Sequence, residues 1–372
     1  MKKELRVATI SDIHLGHRNN DAPFIIKNLK AAMPPEFWLG LDILWLAGDV
    51  FDMLLNRPHE YSMDIDMFAA WLLWEAKKYN VKVRILEGTK SHDWEQSQIF
   101  QMLNDGGKIG CDLMYVRTVD IVYEADLDIN VLYIPDEWRP NPEDTYAEVL
   151  ELMKAKGLDK VDFAIMHGQF EYQLPPVVKA PKHDSAKYLA IVKYLIFIGH
   201  VHLFSRFDRI IAQGSFDRLV HGEEGPKGFV KATVYLNGDY EIEFVENVGA
   251  RKFVTVECSG LELEDTLEEI KNKVSTLPDH SFVRVSLNKG HPLLENMHEL
   301  VLRWPLLTWS KIRRDDKEVE EEQKQEALNE TDFVAIQITR DNIETLLLPR
   351  IQARGVSQTT LDMARDAIQA LR

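Results

Sequence analysis

Six strand-like apolar runs occupy the first two-thirds of the chain, at residues 5–10, 42–48, 81–88, 129–135, 162–168 and 194–200. Five of them run into aspartate or histidine. LRVATI is followed by Ser11-Asp12-Ile13-His14, the second run ends in Gly48-Asp49, and the third leads to Ser91-His92-Asp93. The fifth ends in His167-Gly168 and the sixth in Gly199-His200-Val201-His202. Runs this apolar are expected where both faces of a sheet are covered. Helix-like segments at 63–80 and 142–157 lie between them, giving a layered α/β pattern. In the second helix Asn141 is placed to cap, Pro142 to open and Gly157 to stop. Ligands and catalytic groups in open α/β sheets gather beyond the carboxyl ends of strands. Five such ends therefore predict one shared site.

The pattern restarts after about residue 250. Strands are expected at 251–258, 281–288 and 306–314, with helices at 263–275 and 292–304. The expected division is 1–250, a small α/β module at 251–313, an acidic linker at 314–330 and a tail at 331–372. The tail holds a strand-like run at 332–338 and two helical segments. Asp341 with Glu344 has the spacing of a capping box, ahead of Ile343, Leu346, Leu347 and Ile351. Leu361, Ala364, Ile368 and Leu371 share one face of the second segment.

The formal charge of −16 over 372 residues argues against whole-molecule attraction to nucleic acid. A function on DNA then needs a local basic patch, bound cations or a basic partner; Lys311, Arg313 and Arg314 are the basic candidates. Cys111 and Cys258 make no disulfide framework, so a reducing cytoplasm is expected. The absence of a long apolar run or a signal peptide argues against a membrane partner.

Asp12, His14, Asp49, His167, His200 and His202 offer hard oxygens and imidazole nitrogens. That mixture suits manganese, iron or zinc better than magnesium or calcium. Asp12 with His14, and His200 with His202, have the i, i+2 spacing that aims both side chains to one face of extended chain. Six side chains exceed one four-coordinate site, so two cations are expected, with Asp49 able to bridge. Two cations clamp the attacking and leaving oxygens of a phosphoryl displacement. His92 is expected beside them, aiding the leaving oxygen, because an imidazole titrates near neutrality. Singly these residues read as turns and caps; in order, each after an apolar run, they read as a site. His17, His59 and His183 are expected at the surface.

The motifs DIHLG, GDVFD, His92-Asp93, His167-Gly168 and GHVH resemble the calcineurin-like metallophosphoesterases. Within that superfamily the chain is similar to the SbcD-type nuclease subunits of double-strand-break repair, including phage recombination nucleases. That likeness rests on SDIHLGH, on GDVFD and on residues 199–229, with their elements GSFDR, HGEE and KGF. It covers residues 4–250 well, the module at 251–313 by layout, and the tail weakly. The resemblance implies a four-layered α/β/β/α sandwich with two manganese ions, other divalent metals being alternatives. Asp12, His14, Asp49 and His202 would hold one ion, Asp49, His167 and His200 the other, and His92 would be catalytic.

It further implies that the module is a capping domain that seats DNA. The tail would be a segment binding an SbcC-type ABC ATPase. A homodimer would form through helices of the first hundred residues, in bacterial or phage-infected host cytoplasm. One departure stands out. The family has Gly-Asn-His, the Asn amide oxygen being a ligand of the second metal. Here Ser91 precedes His92, and Thr89 and Lys90 are extra. Ser91 is therefore the expected ligand, directly or through water, of a weaker second site.

The expected function is a manganese-dependent DNA exo- and endonuclease working with an ATPase. The alternatives are a metallophosphoesterase of phosphoproteins or small phosphodiesters, and a catalytically weakened DNA-end-binding scaffold.

Overall fold

The computed structural model describes residues 4–55, 60–136, 138–174, 179–235, 237–314, 361–363 and 365. Two compact units are Met1–Ile312 and Arg313–Arg372. The chain begins with β1 (Glu4–Ile10), α1 (Ala22–Ala32), α2 (Pro35–Trp38), β2 (Ile43–Ala47) and α3 (Ser62–Tyr79). It continues through β3 (Lys82–Leu86), α4 (Gln98–Gly106), β4 (Leu113–Val116), β5 (Asp120–Glu124) and β6 (Ile129–Ile134). Next come α5 (Pro142–Lys156), β7 (Val161–Gly168), α6 (Ser185–Ile191), β8 (Val192–His200), β9 (Ser205–Phe207) and β10 (Ile210–Ala212). A hairpin of β11 (Gly228–Tyr235) and β12 (Tyr240–Glu246) follows.

All six apolar runs are strands. They fall into two six-stranded sheets, ordered β12-β11-β1-β2-β3-β4 and β5-β6-β7-β8-β10-β9. Strands β1, β2 and β3 are parallel to one another, as are β6, β7 and β8. Every residue of β2 is buried, because its alternate side chains enter different cores. Leu44 and Leu46 pack with Leu29, Phe68 and Leu72 of the helices. Ile43, Trp45 and Ala47 pack instead with Val131, Tyr133, Phe163 and Phe197 of the other sheet. Beyond that sheet, Leu132, Ala164 and Ile196 meet Val149, Met153 and Tyr188 of α5 and α6. The molecule is thus layered α/β/β/α, as expected. Trp45 donates from Nε1 to the Tyr133 hydroxyl at 3.0 Å, so the indole crosses between the sheets without leaving a buried donor unpaired. Truncating Trp45 to alanine should cost about 3–5 kcal/mol.

The caps of α5 are as expected. Asn141 accepts from the Glu143 N–H, Pro142 opens the helix and Gly157 closes it in the left-handed region. The hairpin β11–β12 was not expected from the sequence. Strand β12 alternates half-buried and exposed residues at a sheet edge, so its apolar signal is thin.

A three-stranded sheet, ordered β13-β14-β15, comprises β13 (Phe253–Glu257), β14 (Phe282–Asn288) and β15 (Thr308–Arg314). With α7 (Leu263–Val274) and α8 (His298–Arg303) it forms its own core around Val256, Ile270, Val285, Leu293 and Leu300. The single helix expected at 292–304 is instead a 3₁₀ turn, Pro292–Leu294, followed by α8. His291 explains the break: its Nδ1 accepts from the Leu293 N–H at 3.1 Å, capping a tight turn that buries the neighbours Leu293 and Leu294 together. The strand expected at 332–338 and the helix after Asp341 lie outside the described residues, as does most of the acidic linker. Of the last expected helix, 361–363 and 365 are described and are helical. No helix among the described residues is long and apolar enough to cross a membrane.

Candidate metal centre

The loops leaving β1 and β2 are zipped together by main-chain hydrogen bonds. Asp12 N–H donates to Gly48 O at 3.1 Å, and Ile13 and His14 N–H both donate to Asp49 O, at 2.8 and 3.1 Å. This zipper holds non-glycine residues at positive φ, 50° at Asp12, 53° at His14 and 49° at Asp49, and His200, whose N–H donates to the Asp12 carboxylate at 3.0 Å, is at 94°. Such backbone costs on the order of 1–3 kcal/mol per residue and survives where its surroundings fix it, often at functional sites. Two glycines permit the close approach. A Cβ on Gly48 would lie 2.2 Å from His167 Nδ1, and one on Gly88 would lie 2.1 Å from Asp49 N.

The strand ends converge. Three overlapping groups each bring their ligand atoms within 4.8 Å of one another: Asp12, His14 and His202; His14, Asp49 and His92; Asp49, His167 and His200. His14 Nε2 and His202 Nε2 are 3.1 Å apart, and each ring is turned toward the carboxylates, with Asp49 Oδ2 3.9 Å from the first and Asp12 Oδ1 3.7 Å from the second. Across Asp49, His167 Nε2 is 3.3 Å from Oδ1 and has no hydrogen-bond partner although it is buried. The His167 and His200 rings stand edge to face at 5.5 Å.

Four imidazoles turn Nδ1 toward an oxygen. His167 donates from Nδ1 to the Ala47 carbonyl at 2.7 Å, and His92 donates from Nδ1 to the Asp52 carbonyl. His202 Nδ1 meets Glu223 Oε1 at 2.8 Å, and His14 Nδ1 lies 3.2 Å from Asp52 Oδ1. An Nδ1 held by an acceptor leaves Nε2 as the ligand nitrogen, and a carboxylate there raises its basicity. The unpartnered, buried His167 Nε2 and the facing Nε2 atoms of His14 and His202, beside two carboxylates, fit divalent cations, and the described residues could hold two that share Asp49.

The charges agree with this. Burial works to raise the Asp49 pKa, but the imidazoles of His167 and His14 outweigh it and hold the carboxyl well below the usual range. Burial works to lower the His167 pKa, and the Asp49 charge drives it up instead. His200 is pushed down by burial and by His167. Despite burial, Glu223 is pulled down to about 2 by its hydrogen bond with His202 and by Lys227. Asp93 is the opposite case: burial, reinforced by the Asp49 charge, pushes it up to about 8.

Six of the expected ligands are therefore brought together, with His92 at their margin; its ring centroid is 5.0 Å from that of His14. Ser91 is placed differently, being exposed at the outer side of the loop. The residue that touches the shared carboxylate is Thr89. Its N–H donates to Asp49 Oδ1 at 2.6 Å and its hydroxyl to Oδ2 at 3.2 Å. His183, expected at the surface, is half-buried against Phe170 and Tyr188, and burial pushes it down to about 4. His17 is also half-buried, and His59 lies outside the described residues. In the basic trio, Lys311 and Arg313 are exposed and Arg314 is half-buried, with the Lys311 ammonium tied to the Leu294 carbonyl.

Several supporting residues carried no role in the sequence. Asp52 and Glu223 stood inside GDVFD and HGEE, and Lys227 inside KGF. The buried Lys227 ammonium reaches His202 O and Ser215 Oγ, both at 2.8 Å, and Glu223 Oε2 at 3.1 Å. Asp93 accepts from Phe51 N–H at 3.0 Å and Gly88 N–H at 2.9 Å, fastening the His92 loop to the Asp49 loop. The signal was the motif itself: a carboxylate three residues past Asp49, and another at the turn after the last histidines.

No family model matches the chain, and no curated protein matches it. Among solved structures, TT1561 of Thermus thermophilus is 12% identical with a TM-score of 0.37, over 65% of this chain and 99% of that one. Another crystal structure is 14% identical with a TM-score of 0.38, over the same 65% and 99%. At that level the residues themselves carry the reading.

Proposed function

We propose that this chain is a metal-dependent phosphodiesterase acting on DNA, the nuclease subunit of an SbcCD-like complex with two manganese ions. The observation that carries it is the convergence of Nε2 atoms from His14, His167 and His202 on Asp12 and Asp49, with His92 alongside. Asp12, His14, Asp49 and His202 would hold one cation, and Asp49, His167 and His200 the other. When bound, such a pair activates water and offsets charge on the phosphate. The protein's own part is positional. Asp49 stands between the two halves with both oxygens fixed by Thr89. His92, its Nδ1 donating to the Asp52 carbonyl, is oriented to deliver a proton from Nε2 to the departing oxygen. The choice of DNA rests on the resemblance of residues 199–229, whose Glu223 and Lys227 brace His202.

A homodimer belongs to the same proposal. Met63, Met67 and Trp74 lie on one face of α3 and are exposed, with Met102 exposed on the adjoining α4. An exposed apolar stripe of this kind marks an association surface.

The test is degradation of linear duplex DNA by the purified chain with manganese, alone and with its ATPase. His92→Ala should lower the rate at least about a hundredfold. Equal cleavage by the variant, or none by the wild type in either form, would sink the proposal. Much faster hydrolysis of phosphopeptides or nucleotides would replace DNA as substrate.

A further inference from the structure

The loop after β3 presents side chains that the centre does not use. Lys90 is exposed, and Trp94, two residues beyond His92, is 61% exposed. Tryptophan is highly buried on average, so one this open needs a reason. The backbone beneath it is strained, with φ 30° at Trp94 and 62° at Glu95, neither of them glycine. Strained backbone persists only where its surroundings over-determine it, and here they do. The Asp93 carboxylate accepts from Phe51 and Gly88, and the Glu95 N–H donates to Glu87 Oε1 at 2.8 Å.

Gln96 then ties this loop to the one after β2. It donates from Nε2 to the carbonyls of Met53 and His92, at 2.9 and 2.8 Å, and accepts from the Leu55 N–H at 2.7 Å. Met53 and Leu54 on that second loop are themselves 43% and 48% exposed. Two fastened loops therefore offer Trp94, Met53 and Leu54 to solvent next to His92, with Lys90 on the same turn.

The indole is open on a turn held from both sides. It suits a ligand with a flat apolar face and a negative charge close by, which is a nucleotide. A paired base inside a duplex has both faces covered by its neighbours and a flush end bares only the outer face of its last pair, so a base further in offers a face only when it is unpaired. His92 marks the side on which the leaving oxygen departs. We propose that Trp94 is a stacking platform for an unpaired base on the leaving-group side of the scissile phosphate, with Lys90 contacting a neighbouring phosphate. This rests on the nuclease reading above and adds a substrate preference: DNA whose terminal pairs are open over DNA with flush ends.

The experiment uses the full chain with manganese. Its substrates are a flush-ended duplex, the same duplex with unpaired terminal nucleotides, and bis-p-nitrophenyl phosphate. Wild type is expected to show a higher kcat/KM on the open end than on the flush one. For Trp94→Ala, the ratio of open-end to small-diester kcat/KM should fall about tenfold, mainly through KM, as expected for one lost stacked base. Trp94→Phe keeps a flat face and should hold the ratio within about threefold. Reading a ratio cancels any general damage to the centre. A Trp94→Ala ratio within about twofold of wild type overturns the stacking platform and leaves the nuclease reading standing. A wild type that hydrolyses the small diester but no DNA overturns the nuclease reading, and the platform falls with it.

Discussion

His14 and His202 stand on one side of Asp49, and His167 and His200 on the other, and the two pairs are supported by different chemistry. The first pair is backed by carboxylates, Asp52 at His14 and Glu223 at His202. Glu223 is in turn held by the Lys227 ammonium and the Leu219 N–H. On the other side His167 is backed by a neutral carbonyl, that of Ala47, and His200 has its pKa lowered by burial and by His167. A carboxylate behind an imidazole makes it a more basic ligand than a carbonyl does. A cation on the His14/His202 side should therefore be the tighter of the two, for reasons outside the residues that would hold it.

The strongest way to break this asymmetry is to remove one backing charge while keeping its shape. Glu223→Gln should weaken the cation of the His14/His202 side about 10- to 100-fold and change the other much less. A calorimetric manganese titration resolves the two steps. If both affinities stay put, the carboxylates are not what separates the halves.

The strands and the convergent aspartates and histidines at their ends were legible for the same reason. Strands such as β2 are buried on both faces, so they are continuously apolar, and an aspartate or histidine closing such a run stands out. The asymmetry was not legible. Asp52 and Glu223 are ordinary surface-type residues in sequence, and their work depends on which imidazole the fold sets against them. The arrangement of the loop from 88 to 96 was not legible either. Adjacency to His92 pointed to Ser91, but a turn in which the His92 and Asp93 N–H groups both donate to the Thr89 carbonyl sets Thr89 on Asp49 and leaves Ser91 exposed. His291 shows the same limit, since a helical pattern gave way to a capped turn that only the local hydrogen bonds define.

Beside the His167/His200 side stands a further imidazole with an unsatisfied nitrogen, that of His183. A Cβ on Gly168 would lie 3.5 Å from His183 Nε2, and His183 Nδ1 is buried without a hydrogen bond. Burial pushes this imidazole from 6.5 to about 4. Above pH 6.5 neither the folded nor the unfolded chain protonates it, and it contributes nothing. Between 6.5 and 4 the unfolded chain takes up a proton that the folded chain refuses, so stability falls as the pH drops. From pH 7 to pH 5 the loss from this one group is about 2 kcal/mol. His183→Phe should remove that part of the acid sensitivity, measured by urea unfolding at the two pH values. An unchanged pH slope would show that His183 is protonated in the fold.

The smallest effect concerns the carboxylate that the halves share. Thr89 gives Asp49 two donors, one to each oxygen, whereas Ser91 is exposed. Thr89→Val keeps the volume and the main-chain donor and deletes only the hydroxyl at 3.2 Å from Oδ2. One long hydrogen bond to a charged carboxylate, of about 1.5 kcal/mol, is lost, so cation binding should weaken by up to about tenfold. The loss should fall mainly on the His14/His202 side, because Oδ2 is the oxygen facing His14, while Oδ1 keeps its Thr89 N–H against His167. Ser91→Ala, titrated alongside, should leave both affinities within about twofold. The opposite result, with Ser91→Ala weakening the cation of the His167/His200 side and Thr89→Val leaving both alone, would make Ser91 the ligand. It would also mean that the loop closes inward when the cation binds.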